Sequence, residues 1–135
     1  MTNVSNAVVW ECVKKSNCFM RKGIHGGNHR TLFSAEPGNL YNKHSYKFSG
    51  LRHENDIVGV QASKDDTVDF IKGSKKNVNK PAKAVTHYKW KQNARRSLVS
   101  VGKQAASMRP DLKYPAQARM AAVQKSLRVK KALAK

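Results

Sequence analysis

Cys12, Cys18, His25 and His29 are four residues of metal-binding type, and they occur close together in the order Cys, Cys, His, His. A zinc site of that order needs cysteines about two to four residues apart and a central gap of about twelve. Here five residues separate the cysteines and six separate Cys18 from His25; only the His25-x3-His29 step fits. The thiols are therefore read as small buried hydrophobes, Cys12 on an apolar helical stripe, and no metal or cofactor is assigned. Catalytic patterns are missing too. There is no nucleophile elbow, Walker loop or HExxH, and no paired carboxylates framed by an apolar pocket pattern. "GIHGGNH" (23–29) carries glycines without the strand–loop–helix setting of a phosphate cradle. A nuclease acting through His25 or His87 is the catalytic alternative. It would lose RNA cleavage with His25→Ala or His87→Ala; no cleavage is expected, and the chain is read as not an enzyme.

The chemistry this sequence does carry is electrostatic. "KPAKAVTHYKWKQNARR" (80–96) holds Lys80, Lys83, Lys89, Lys91, Arg95 and Arg96, with His87, Tyr88 and Trp90 among them and no carboxylate. The 135-residue chain has a net charge of +19, very unevenly spread. Residues 1–70 hold nine Lys/Arg against seven acids, whereas 71–135 hold eighteen against Asp111 alone. Ordinary surface helices mix Glu with Lys and gain from i,i+4 pairs. So one-sided a charge opposes compaction unless a polyanion neutralises it. Nucleic acid, an anionic membrane face and an acidic protein are the candidates. No apolar run, "AVVW" (7–10) included, approaches the roughly twenty residues of a membrane span. The N-terminus lacks the basic start and apolar run of a secretory signal, so the cysteines are expected reduced, in cytosol or nucleus.

Nucleic acid fits best. Cations track phosphates while interleaved aromatics stack on unpaired bases, the usual grip on single-stranded or looped RNA. Charge alone nominates Lys75, Lys76, Lys80, Lys83, Lys89, Lys91, Arg95, Arg96, Lys103, Arg109, Lys113, Arg119, Lys125, Arg128, Lys130 and Lys131, with the rings of His87, Tyr88 and Trp90. Trp90 taken alone is more readily a residue that packs on the body. His25, His29, His44 and His53 are expected in loops or near RNA. If a helix begins near Asn93, Arg95 and Arg96 occupy its first turn, unfavourable there unless a phosphate sits at the helix N-terminus.

The elements that must hold these residues follow from periodicity. "SNAVVWECVKK" (5–15) reads as a short helix capped by Ser5. A period of two follows in Tyr46/Phe48, in Val58/Val60/Ala62 and in Val68/Phe70, with turn chemistry at 23–28, 36–39, 53–56 and 63–66. The expected class is α+β: a small antiparallel sheet packed with the N-terminal helix, then a basic arm and extended C-terminal helices. The divisions are a compact body at 1–72, a basic linker at 73–92 and a basic helical extension at 93–135. Residues 72–83 read as flexible, and helical spacing returns from about 85. Ala94, Leu98, Val101, Ala105 and Met108 form one helix face, interrupted by Gly102. Pro115 suits the first turn of a last helix bearing Met120, Val123 and Leu127. Asp111 is read as a cap closing the inter-helix turn.

Several segments, in order, carry a resemblance: "WECVKKSNCFMRK" (10–22), "FSAEPGNLYNKHSYKFSGL" (33–51), "VGVQA" (58–62), "RPDL" (109–112) and "MAAVQKSLRV" (120–129). Over nearly its whole length the chain resembles the eukaryote-specific large-subunit ribosomal protein family twenty-eight. That family usually runs from "RPDL" almost directly into "MAA", whereas "KYPAQAR" (113–119) intervenes here. The resemblance implies a structural protein of the cytosolic large ribosomal subunit, passing through the nucleolus during assembly. Its partners would be large-subunit rRNA and neighbouring large-subunit ribosomal proteins, with no membrane, small-molecule substrate, cofactor or catalytic residue. A related domain begins a longer ribosome-assembly factor, the alternative reading; a chain stopping at Lys135 is expected of the ribosomal protein.

Overall fold

The computed structural model describes residues 4–23, 32–52, 56–77, 80–91 and 93–134. Ser5 caps helix α1 (Asn6–Val13), its side chain accepting from the Val8 N–H. Strands β1 (Met20–Lys22) and β2 (Leu32–Ser34) form an antiparallel hairpin. A second sheet runs as a meander of β3 (Val58–Ala62), β4 (Val68–Gly73) and β5 (Val85–Trp90), with β4 central. Helices α3 (Ala94–Met108) and α4 (Lys113–Leu133) follow, separated by a 3₁₀ turn at Pro110–Leu112.

The α+β class holds, but the helix that covers the three-stranded sheet is α4, not α1. Along α4, Ala116, Met120 and Val123 are buried, and they join Val60, Val68 and Phe70 of the sheet and Val101 and Ala105 of α3 in one core. No residue of α1 is buried. It docks instead through Trp10, whose ring lies 5.1 Å from His44 and 5.9 Å from Tyr46, while His44 Nε2 meets the Lys14 carbonyl at 2.9 Å. Cys12 and Cys18 are both exposed, which corrects their reading as buried hydrophobes.

The other sheet face is covered by the 36–52 loop. Gly38 takes φ +81°, and a Cβ on Gly59 would stand 2.8 Å from the Gly38 carbonyl oxygen, so loop and strand touch backbone to backbone. Buried Asn39 holds the loop together: its amide donates to the carbonyls of Lys43 (3.1 Å) and Phe48 (3.2 Å). The alternation at 45–49 does not make a strand. The Ser45 carbonyl accepts from the N–H groups of both Phe48 and Ser49, which is a turn. Its rings are used locally, Phe48 edge-on to Tyr41 and Tyr46 under the Arg52 guanidinium.

Two further expectations change. The described residues of 72–83 are not a loose linker: β4 continues to Gly73, a 3₁₀ turn spans Lys75–Asn77, and α2 (Pro81–Ala84) leads into β5. Backbone bonds such as Ser74 N–H to the Ala84 carbonyl (2.8 Å) close this reversal. Residues 85–90 are a strand, not the start of helical spacing; the helix begins at Ala94. The boundaries at 72/73 and 92/93 therefore mark changes of charge, not of packing, because β5, α3 and α4 complete the core that β3 and β4 begin. Of the expected turns, 36–39 and 63–66 are present, the latter joining β3 to β4, while 24–28 and 53–55 lie outside the described residues.

Candidate nucleic-acid interface

Pairing on β4 sorts the aromatic–basic stretch into two faces. Opposite residues of an antiparallel pair share a face. Tyr88 stands opposite Phe70 and Trp90 opposite Val68, on the helix-covered side, while His87 and Lys89 stand opposite Ile71 and Asp69 on the other. His87, Tyr88 and Lys89 are exposed; Trp90 is half-buried against the core. The stretch is thus split: the His87 ring and Lys89 share one face, and the Tyr88 and Trp90 rings the other.

The fold also supplies carboxylates that lie far away in sequence. Asp65 and Asp66 sit in the β3–β4 turn, Asp66 at φ 54°. Lys89 Nζ meets Asp65 at 2.5 Å, and Lys130 Nζ meets Asp66 at 2.6 Å. The hydrogen bond between them moves Asp65 below the usual carboxylate range and Lys89 above the usual lysine value. Arg109, largely shielded, makes a 2.7 Å pair with Asp111. Burial pushes the Asp111 carboxyl up, but the hydrogen bond and charge of Arg109, with Lys47, outweigh it and leave it below its ordinary value. Asp111 is therefore an ion-pair partner, not a cap; Leu112 occupies the α4 cap position without a side-chain cap bond. Arg119 Nε reaches the Val60 carbonyl of edge strand β3 at 3.4 Å, so part of its donor capacity serves the fold.

Among the described residues, exposed Lys76, Lys80, Lys83, Lys91, Arg95, Arg96, Lys103, Lys113, Lys125, Arg128 and Lys131 have no carboxylate partner. They fall into groups. Lys76, Lys80 and Lys83 ride on the β4–β5 reversal with Lys75, whose backbone belongs to the same 3₁₀ turn. Lys91, Arg95 and Arg96 surround the start of α3, where the Asn93 side chain accepts from the Arg95 N–H at 3.1 Å and no acid occupies the first turn. Arg128 and Lys131 project from the last turns of α4. The last two groups meet across a groove of about 420 Å³ whose lining includes Thr67, Trp90, Lys91, Gln124, Leu127, Arg128 and Lys131. Sequence reasoning chose residues by charge and so missed Thr67, Gln124 and Leu127. The spacing Gln124, Leu127, Arg128, Lys131 on one helix face was the available signal.

Lys103 and Lys113 are not part of that groove; Lys113 Nζ lies 5.5 Å from the Tyr114 ring centroid. His25, His29 and His53 lie outside the described residues. Among the described residues no group of three His, Cys, Asp or Glu is arranged to hold a metal, and no helix is long and apolar enough to cross a membrane.

The pattern that describes the ribosomal L28e protein family matches residues 8–126. The chain belongs to that family. It is 35% identical over 133 residues to the large ribosomal subunit protein eL28 of Dictyostelium discoideum, covering 98% of this chain and 96% of that protein. It is 38% identical over 82 residues to the protein of the same name from Schizosaccharomyces pombe, 60% of this chain and 59% of that one. The L28e match takes in both sheets, α3 and most of α4. It stops short of Arg128, Lys130 and Lys131, which the Dictyostelium alignment is long enough to reach in large part.

Proposed function

We propose that this L28e-family chain is a structural constituent of the cytosolic large ribosomal subunit, held on rRNA by its basic C-terminal half. The observation that carries the reading is the set of exposed cations on α3, α4, the β4–β5 reversal and the β5–α3 junction that lack carboxylate partners, in a chain whose relatives are named as large-subunit proteins. Such cations neutralise phosphates and fix orientation without reading bases, so RNA shape supplies most of the specificity. The faces of α3 and α4 that build the core leave the opposite faces for the RNA. Lys89, Lys130 and Arg109 are engaged within the fold and contribute less than Lys91, Arg95, Arg96 or Lys125. The protein enters the particle during nucleolar assembly, contacts neighbouring large-subunit proteins and carries no reaction.

The test is ionic strength. With six to ten phosphates engaged, affinity for an rRNA fragment falls roughly 10³–10⁵-fold between 50 and 200 mM salt, and Lys91→Gln lowers the logarithmic salt slope by about one. A flat salt response overturns this mode of binding. Cofractionation with mature large subunits at near-equal stoichiometry is expected; confinement to precursor particles would make the chain an assembly factor instead.

A further inference from the structure

The groove between the β5–α3 junction and the end of α4 has walls unlike the rest of the basic surface. Trp90 and Leu127 give it an apolar side, and Lys91, Arg128 and Lys131 give it a cationic rim. The adjacent turn contributes Asp66, already neutralised by Lys130 at 2.6 Å, so the net field at the mouth is positive. Two polar atoms of lining residues, Trp90 Nε1 and Thr67 Oγ1, are shielded from water and lack a hydrogen-bond partner. Buried donors left unmatched are uncommon in a finished core and mark places where something else completes the bonding. The start of α3 opens beside the same groove through Ala94, one residue after the Asn93 cap.

We infer that this groove receives one unstacked nucleotide of single-stranded RNA, its base against Trp90 and Leu127 and its phosphates held by Lys91, Arg128 and Lys131. The volume of about 420 Å³ admits a nucleoside with its phosphate but not a duplex. Both atoms lie just behind the lining, so a base carbonyl or ribose hydroxyl reaches Trp90 Nε1 or Thr67 Oγ1 only once a rim side chain moves aside. Every base has a π-face, so the pocket selects an unpaired nucleotide in a loop or bulge and not a particular base. The inference rests on the rRNA reading and deepens it: most cations position, and this groove recognises a local RNA conformation.

The experiment uses the full chain carrying Trp10→Phe, so that emission reports Trp90 alone. It is titrated with a short oligouridylate, an RNA duplex and inorganic polyphosphate at equal ionic strength. The single strand is expected to quench Trp90 strongly, and duplex and polyphosphate are expected to bind with little change in emission. Trp90→Leu should weaken single-strand binding about 5- to 150-fold and leave duplex binding nearly unchanged. Arg128→Gln with Lys131→Gln, both exposed and outside the core, should weaken single-strand binding while preserving the circular dichroism spectrum. Should Trp90→Leu lose structure, the quenching comparison on the native indole decides. Salt-sensitive RNA binding with equal quenching by oligouridylate and polyphosphate overturns the nucleotide groove and leaves rRNA binding standing. Absence of salt-sensitive RNA binding overturns both.

Discussion

Gly102 lies in the middle of α3, where glycine costs a helix about 1 kcal/mol relative to alanine. On propensity alone Gly102→Ala should stabilise. The packing predicts the reverse. Gly102 is buried facing α4, and an added Cβ would stand 2.3 Å from Gln117 Nε2, 2.8 Å from its Cδ and 3.1 Å from its Cγ. That amide donates to the Leu98 carbonyl at 3.2 Å, a bond that ties the two helices together. The side chain cannot clear the methyl by moving its tip alone, since three consecutive atoms are too close. Displacing it forfeits about 0.5–1.5 kcal/mol of hydrogen bonding, and crowding a packed helix pair adds about 1–3 kcal/mol. Against the propensity gain, the net expectation is a loss of about 2 kcal/mol. Urea denaturation followed by far-UV circular dichroism should show a lower midpoint at unchanged slope. Combining Gly102→Ala with Gln117→Ala removes the obstacle, and the double variant should recover at least about 1 kcal/mol over Gly102→Ala alone, a coupling within reach of a double-mutant cycle. A stabilised Gly102→Ala, or a cycle with no coupling, would show that α3 and α4 do not pack as described.

Met120, fully buried between α4 and the sheet, should cost about 2–5 kcal/mol when changed to Ala, measured by the same denaturation. Deleting 113–135 should abolish cooperative unfolding, and a truncated chain that still melts cooperatively would restore the picture of an independent body. Asp111→Asn should cost about 0.5–1 kcal/mol at neutral pH, since the pair with Arg109 is partly solvated. Because the folded Asp111 pKa is lowered, that contribution is present above the unfolded value of about 4 and disappears as pH falls through the folded value. The gap between variant and parent should therefore close in acid. Glu36, raised by burial against the pull of the Gly50 and Leu51 N–H groups, slopes the other way but is common to both proteins and cancels. A gap that does not narrow as the pH is lowered through the carboxylate range would remove the ion pair from the account.

Patterns that depend on a few neighbouring residues were legible in the chain. Ser5 and Asn93 start helices because a short oxygen-bearing side chain can accept from the first free N–H groups. Val58/Val60 and Val68/Phe70 around "SKDD" form a hairpin because alternation and turn residues agree. Leu98, Val101, Ala105 and Met108 fall on the packed face of α3 as their spacing requires. The charge imbalance is a property of composition, and it alone nominated the basic surface. What the chain could not state is which faces meet. Val85, Thr86, Tyr88 and Trp90 carry β-forming side chains, yet only the open edge of β4 makes them a strand. Lys130 finds Asp66 across 64 residues, and Arg119 finds Val60 across 59, pairings set by how α4 lies on the sheet. Local sterics and periodicity act within one turn or one hairpin and can be read in order. The groove, the ion pairs and the choice of α4 over α1 as the sheet's cover come from burying one shared core, which no single segment encodes.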